Sequence, residues 1–170
     1  MSLSPELRAE LVALHPACFG WAMSCCARDR AEAEDVVSEA YARVLVGGAR
    51  WQERAALRTF LFGVVRMVAL ERRRAVARLV RFLHAPREPV EPVPSAEQLG
   101  AEREEVRALI EALAKLPDRQ REVLHLVFYE ELTVREAAEV MGVSIGTAAQ
   151  HYERGKQRLA ALIGERGAER

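Results

Sequence analysis

The sequence predicts an all-α protein: two small helical domains joined by a proline-rich linker, the C-terminal one containing a helix-turn-helix. Three observations carry that expectation. Apolar residues recur at steps of three and four through long windows, while Leu, Ala, Glu and Arg dominate and β-branched runs are few. The stretch Ala85 to Ser95, APREPVEPVPS, breaks this period with four prolines, as an extended, semi-rigid connector does. Finally, Thr133 to Leu162 carries two helix starts around one glycine. Thr133 and Glu136 form a capping box that starts a helix at Val134. Gly142 suits the left-handed turn that ends it, and Ser144 caps the next. Ala138, four residues before Gly142, is small where the two helices must cross. In such a motif the second helix enters the major groove and reads base edges with its N-terminal side chains.

Composition bounds the function. Of 170 residues, 50% are hydrophobic and 29% charged, with 25 Lys plus Arg against 25 Asp plus Glu. A neutral chain that binds DNA does so through local patches or with a partner. The three cysteines, Cys18, Cys25 and Cys26, form neither a disulfide framework nor a paired zinc pattern. Without a secretory or membrane-spanning pattern the chain reads as cytoplasmic, with no membrane insertion. With no nucleophile–base pair, phosphate loop or zinc motif, it does not read as an enzyme, and no cofactor or metal is expected.

Taken in order, Leu7, Leu11, Leu14, Cys18, Trp21, Ala22 and Cys25 lie at helical spacing and predict one amphipathic helix from Pro5 to Ala27. Steps of three, four and seven also bring His15, Cys18 and Cys25 to one side, the pattern of a metal site. Thiols acting as small hydrophobes in a core stripe explain it more simply. The vicinal Cys25–Cys26 pair adds a redox-sensor reading.

Arg30 to Val46 starts acidic, as suits a helix N-terminus, and places Val36, Val37, Ala40, Tyr41, Val44 and Leu45 on one stripe. Asp35, Glu39 and Arg43 fall opposite, either as a solvated face or as an interface, and Gly47–Gly48 ends the helix. A long helix follows, with Leu57, Phe60, Leu61, Val64, Val65, Val68 and Ala69 as its core face. Around it Arg50, Arg54, Arg58, Arg66, Arg72, Arg73, Arg74, Arg78 and Arg81 outnumber Glu53 and Glu71, with Trp51 and Phe62 among them. Arginines mixed with aromatics suit single-stranded nucleic acid, phosphates meeting guanidinium groups and bases stacking on rings. Core packing is the competing reading for both Phe60 and Phe62, and is preferred for Phe60.

Beyond the linker, Ser95 with Gln98 caps a helix running through Leu99, Val106, Leu109, Ile110 and Leu113 to Leu116. Pro117 fits the first turn of another, with Val123, Leu124, Leu126, Val127 and Phe128 as its core side. In the final helix, Thr147, Gln150, His151 and Arg154 share one exposed side, while Ala148, Tyr152 and Leu159 face the preceding helices.

The order AEDVVSEAYARVL, LRTFLFGVVRMVALERRR, a proline-bearing linker, LPDRQREVLHLVFYEELTVREAAEVMGVSIGTA and a closing basic helix resembles the extracytoplasmic-function (ECF) sigma factors over about residues 5 to 163. The resemblance implies a dissociable initiation subunit that recruits core RNA polymerase to a promoter, reads two elements and helps to open the DNA. It implies sigma domain two over residues 1–84, a linker over 85–95 and sigma domain four over 96–170. Asp35, Val36, Glu39 and Arg43 match the helix that docks on the clamp helices of the polymerase β′ subunit. Trp51 to Arg74 matches the segment that reads and melts the minus-ten element, with Trp51, Arg54, Arg58, Phe62 and Arg66 as its DNA-binding side chains. Ser144, Thr147, Gln150, His151, Arg154 and Arg158 fall on the reader of the minus-thirty-five element. Expected partners are core polymerase, through β′ and the β flap, promoter DNA and an anti-sigma factor.

The sequence departs from the family at Gly63, Met67, Ala149, His151, Tyr152 and Gly155. The last costs a helix about 1 kcal/mol relative to alanine. Two further readings stand beside this one: an operator-binding regulator with an N-terminal effector domain, and a metal- or thiol-responsive sigma factor using His15, Cys18, Cys25 and Cys26.

Overall fold

The computed structural model describes residues 5–47, 51, 55–83 and 101–168. The chain divides into two compact units, Met1–Val93 and Pro94–Arg170. Among the described residues all regular structure is helical. The linker 85–95, the Ser95–Gln98 cap, Gly48, Arg50, Glu53 and Arg54 lie outside the described residues.

The first unit is a bundle of α1 (Pro5–Cys25), α2 (Arg30–Leu45) and α3 (Leu57–Leu83), each packed on the other two. Its core takes Leu11, Cys18, Trp21 and Ala22 from α1, then Ala33, Val36, Val37 and Ala40 from α2. From α3 come Leu57, Leu61, Phe62, Val64, Val65, Val68 and Ala69. The centres of the expected stripes on α1 and α2 are thus buried, while Leu7, Leu14, Cys25, Tyr41 and Val44 are half-buried and Leu45, at the end of α2, is exposed. On α3 the two phenylalanines exchange roles, since Phe62 is fully buried and Phe60 only partly. The turn between α1 and α2 places Ala27 and Arg28 at positive φ, and Asp29 then caps α2 by accepting from the Glu32 amide at 3.0 Å.

In the second unit, α7 (Ile145–Ala168) packs on α4 (Ala101–Ala114), α5 (Asp118–Leu124) and α6 (Val134–Met141). Pro117 sits at the N-cap of α5, one residue ahead of the helical turn expected to hold it. The chain leaves α5 through a π-helical turn, His125–Tyr129, closed by the Glu130 amide donating to the His125 carbonyl at 3.1 Å. A widened turn adds one residue and rotates everything after it by about 100°. Within the turn, Leu126 stays in the core with Val123 and Leu124. Phe128, expected to be buried, is 63% exposed, and Val127 is half-buried.

The Thr133–Glu136 capping box has both of its bonds: the Glu136 amide donates to Thr133 Oγ1 at 3.2 Å and the Thr133 amide to Glu136 Oε2 at 2.8 Å. Gly142 ends α6 at φ +64, where glycine alone is unstrained, and Ala138 beneath it is buried. Ser144 then caps α7, accepting from the Thr147 amide at 3.1 Å.

Candidate functional site

Two surfaces, one in each unit, carry the side chains that the sequence singles out. In the first unit, Asp35, Glu39 and Arg43 stand at steps of four on α2, opposite buried Val36 and Val37. They are joined to α3. The Arg72 guanidinium donates from Nε to Glu32 at 2.8 Å, from Nη2 to Asp35 at 3.0 Å and from Nη1 to Glu39 at 3.3 Å. Arg43 bridges Glu39 on its own helix and Glu71 on α3, the latter at 2.7 Å.

These contacts shift the titrations in the expected directions. Glu39 is held below the usual carboxylate range, first by its hydrogen bond from Arg43 and then by Arg72. Arg72 is raised chiefly by Glu32, and Arg43 chiefly by Glu71.

The basic side of α3 is less uniform than its sequence. Arg73, Arg74, Arg78 and Arg81 are exposed, whereas Arg58 lies over the Phe62 ring at 5.3 Å and Arg66 is only 7% exposed. Trp51 is half-buried, its Nε1 donating to the Ala55 carbonyl at 2.8 Å. Phe62 is shut inside the bundle against Trp21, so it does not stand on the basic face as a stacking ring for a base.

Cys18 is buried in the core, and no group of three or more His, Cys, Asp or Glu among the described residues could hold a metal ion. Burial, with the nearby Glu32 and Asp29 carboxylates, pushes the Cys26 thiol up to about 11, so it stays protonated and poorly nucleophilic at neutral pH.

In the second unit the first turns of α7 present exposed Ser144, Gln150, Arg154 and Arg158, with Thr147 and His151 half-buried among them. Ser144 Oγ and Thr147 Oγ1 lie 2.9 Å apart, so the capping bond also fixes the first candidate reading side chain. Ala148 is buried, and Tyr152 stacks on Phe128 at 5.8 Å with Lys156 over its outer face. Gly155 is buried where α7 crosses α5: a Cβ there would meet Leu124 Cδ1 at 3.1 Å and Gln120 Cβ at 3.3 Å. The glycine that costs helix propensity is therefore the one that admits α5. A glycine in the middle of an otherwise helical pattern was the available signal.

Comparison with known proteins bears on both units. Residues 11–79 match the family Sigma-70 region 2, and residues 106–159 match Sigma-70, region 4. The chain is 31% identical over 170 residues to the ECF RNA polymerase sigma factor EcfG of Rhodopseudomonas palustris, covering 99% of this chain and 91% of that one. This chain belongs to the ECF sigma factors. Another ECF sigma factor, SigM of Mycobacterium tuberculosis, is 29% identical over 138 residues, 81% of this chain and 67% of its own. The fold is shared with the sigma factor RpoE of Bartonella quintana, solved in complex with the anti-sigma factor NepR. That likeness has a TM-score of 0.75 at 22% identity, over 94% of this chain and 97% of that one.

Two of the expected contact residues do not stand on the outer faces of α2 and α3. Val36 points into the bundle, packing its helix rather than lining an outer face, and Phe62 does the same on α3. What pattern reading did not anticipate is Arg72. Counted among the nucleic-acid arginines, it faces three carboxylates instead, a pairing between helices that no local spacing encodes.

Proposed function

We propose that this chain is the dissociable subunit that brings core RNA polymerase to its promoters, with α2 docking on the β′ clamp helices, α3 engaging the minus-ten element and α7 reading the minus-thirty-five element. The single observation that carries this reading is the ordered pair of surfaces: an acidic α2 beside an arginine-rich α3 in the unit matching region 2, and a capped helix-turn-helix in the unit matching region 4. An operator-binding regulator has no use for the first pair. Sequence-specific contact comes from Gln150, His151 and Arg154, while Arg158 and the exposed arginines of α3 hold phosphates.

The chain acts with promoter DNA, the polymerase and an anti-sigma factor of the kind seen with RpoE, and it takes the cytoplasm as its compartment. Among the described residues no helix is long and apolar enough to cross a membrane. The chain supplies specificity and the polymerase supplies the chemistry. Run-off transcription tests this: purified core polymerase should initiate at mapped start sites only when the protein is added. No added transcript from genomic DNA, together with operator binding by the protein alone, would favour the regulator.

A further inference from the structure

Four carboxylates, Glu32, Asp35, Glu39 and Glu71, meet two guanidinium groups, Arg43 and Arg72, along the seam between α2 and α3. We infer that Arg72 is a positioning residue for polymerase docking: its fork presets the carboxylates of α2 and fastens them to the helix that engages DNA. The inference rests on the reading that α2 docks on core polymerase.

The geometry of the fork carries the argument. Glu32 is held by two nitrogens, Nε at 2.8 Å and Nη2 at 3.4 Å, and Nη2 also reaches Asp35 while Nη1 reaches Glu39. Glu32, Asp35 and Glu39 stand at steps of three and four, so their charges repel along one stripe and favour scattered rotamers. A planar guanidinium donating to all three sets their directions, which a lysine point charge cannot do.

Pairing does not neutralise the face. The six side chains carry two surplus negative charges, and the Asp35 side chain remains 67% exposed while held at one oxygen. The surface that remains suits a cationic partner. To reach a phosphate instead, the Arg72 fork would have to leave three carboxylates, so DNA contact falls to the exposed arginines beyond it.

Charge and positioning predict opposite signs for loss of this arginine. Removing one positive charge from an anionic face should strengthen attraction to a cationic partner. Removing the fork should weaken docking, because the partner must then order the carboxylates itself.

The test measures affinity of the full chain for core polymerase, at low and high salt, for Arg72→Ala, Arg72→Lys and the double variant Asp35→Ala/Glu39→Ala, with helicity checked by circular dichroism. Arg72→Ala should bind about tenfold more weakly. Arg72→Lys should recover less than half of that loss on a logarithmic scale, at both salt concentrations. Equal or tighter binding by Arg72→Ala overturns the inference, as does wild-type affinity in Arg72→Lys. If the alanine variant loses its helicity, the lysine variant decides alone. Unchanged affinity in Asp35→Ala/Glu39→Ala overturns the docking reading and the inference with it. A loss there beside wild-type binding in the Arg72 variants overturns the inference alone.

Discussion

The indole of Trp21 and the ring of Phe62 stack with centroids 6.1 Å apart and planes 28° apart, and Trp21 Nε1 donates to the Phe62 carbonyl at 3.0 Å. One side chain of α1 thus holds both the ring and the backbone of α3 at the centre of the first unit. Phe62→Ala should destabilise that unit by about 3–5 kcal/mol, the cost of emptying an aromatic core site. Trp21→Phe should cost about 1 kcal/mol for the lost hydrogen bond, beyond any repacking. Both tryptophans lie in this unit, so fluorescence during urea unfolding of Phe62→Ala reports on it directly. A Phe62→Leu holoenzyme should still open promoters at near wild-type rates. A selective loss of opening in a stable Phe62→Leu protein would show that the ring does leave the core to meet DNA.

Gly155 makes a second prediction whose sign the sequence alone gets wrong. By helix propensity, Gly155→Ala should gain about 1 kcal/mol. The added Cβ meets Leu124 and Gln120 at 3.1–3.3 Å, and Leu124 is buried with little room to withdraw. Overpacking of about 1–3 kcal/mol should then prevail, leaving a net loss of about 1 kcal/mol. Gly164→Ala, with nothing within 4 Å of its Cβ, serves as the control and should be neutral or stabilising. The relevant signal is the circular dichroism transition that tryptophan fluorescence does not follow; a more stable Gly155→Ala protein would refute the packing argument.

The seam network predicts a pH dependence. Glu39 is depressed below its ordinary value of 4.5 in the folded unit, so its contribution is fully present above about pH 4.5 and is lost as pH falls through the lower folded value. Stability of the first unit should therefore decline on acidification below about 4.5, and this component of the decline should be smaller in Glu39→Gln. Melting temperatures from pH 6 down to pH 3, compared between wild type and Glu39→Gln, provide the check; parallel curves would remove Glu39 from the account.

Base reading and phosphate holding on α7 should separate by mutation. Gln150→Ala and His151→Ala should alter which minus-thirty-five sequences are transcribed, with about 1–3 kcal/mol of discrimination lost at the position read. Arg158→Ala should lower output on all promoters alike and reduce the salt slope of binding by about one. A randomised minus-thirty-five library transcribed with each mutant holoenzyme makes the comparison. The same preference in both Gln150→Ala and His151→Ala would show that this face does not read bases.

The features legible in the sequence are local ones. The capping box at Thr133 and Glu136, the left-handed Gly142, the Ser144 cap and the stripes of α1 and α2 depend on spacings within a few residues. Backbone geometry and capping chemistry fix those spacings wherever the helices finally pack. The order of such pieces also suffices for the family. Tertiary structure decided the rest, because it depends on groups far apart in sequence or on a change of helical period. Within the π turn at His125–Tyr129 Leu126 is buried and Phe128 exposed, a division that a pattern of 3.6 residues per turn does not foresee. Trp21, 41 residues away, chose Phe62 over Phe60 for the core. Leu124 and Gln120 gave Gly155 its reason, and Glu32, Asp35 and Glu39 took Arg72 out of the basic face. A long arginine beside a helix can reach a phosphate or a neighbouring carboxylate with equal ease, and only the packed position of α2 against α3 selects the carboxylates.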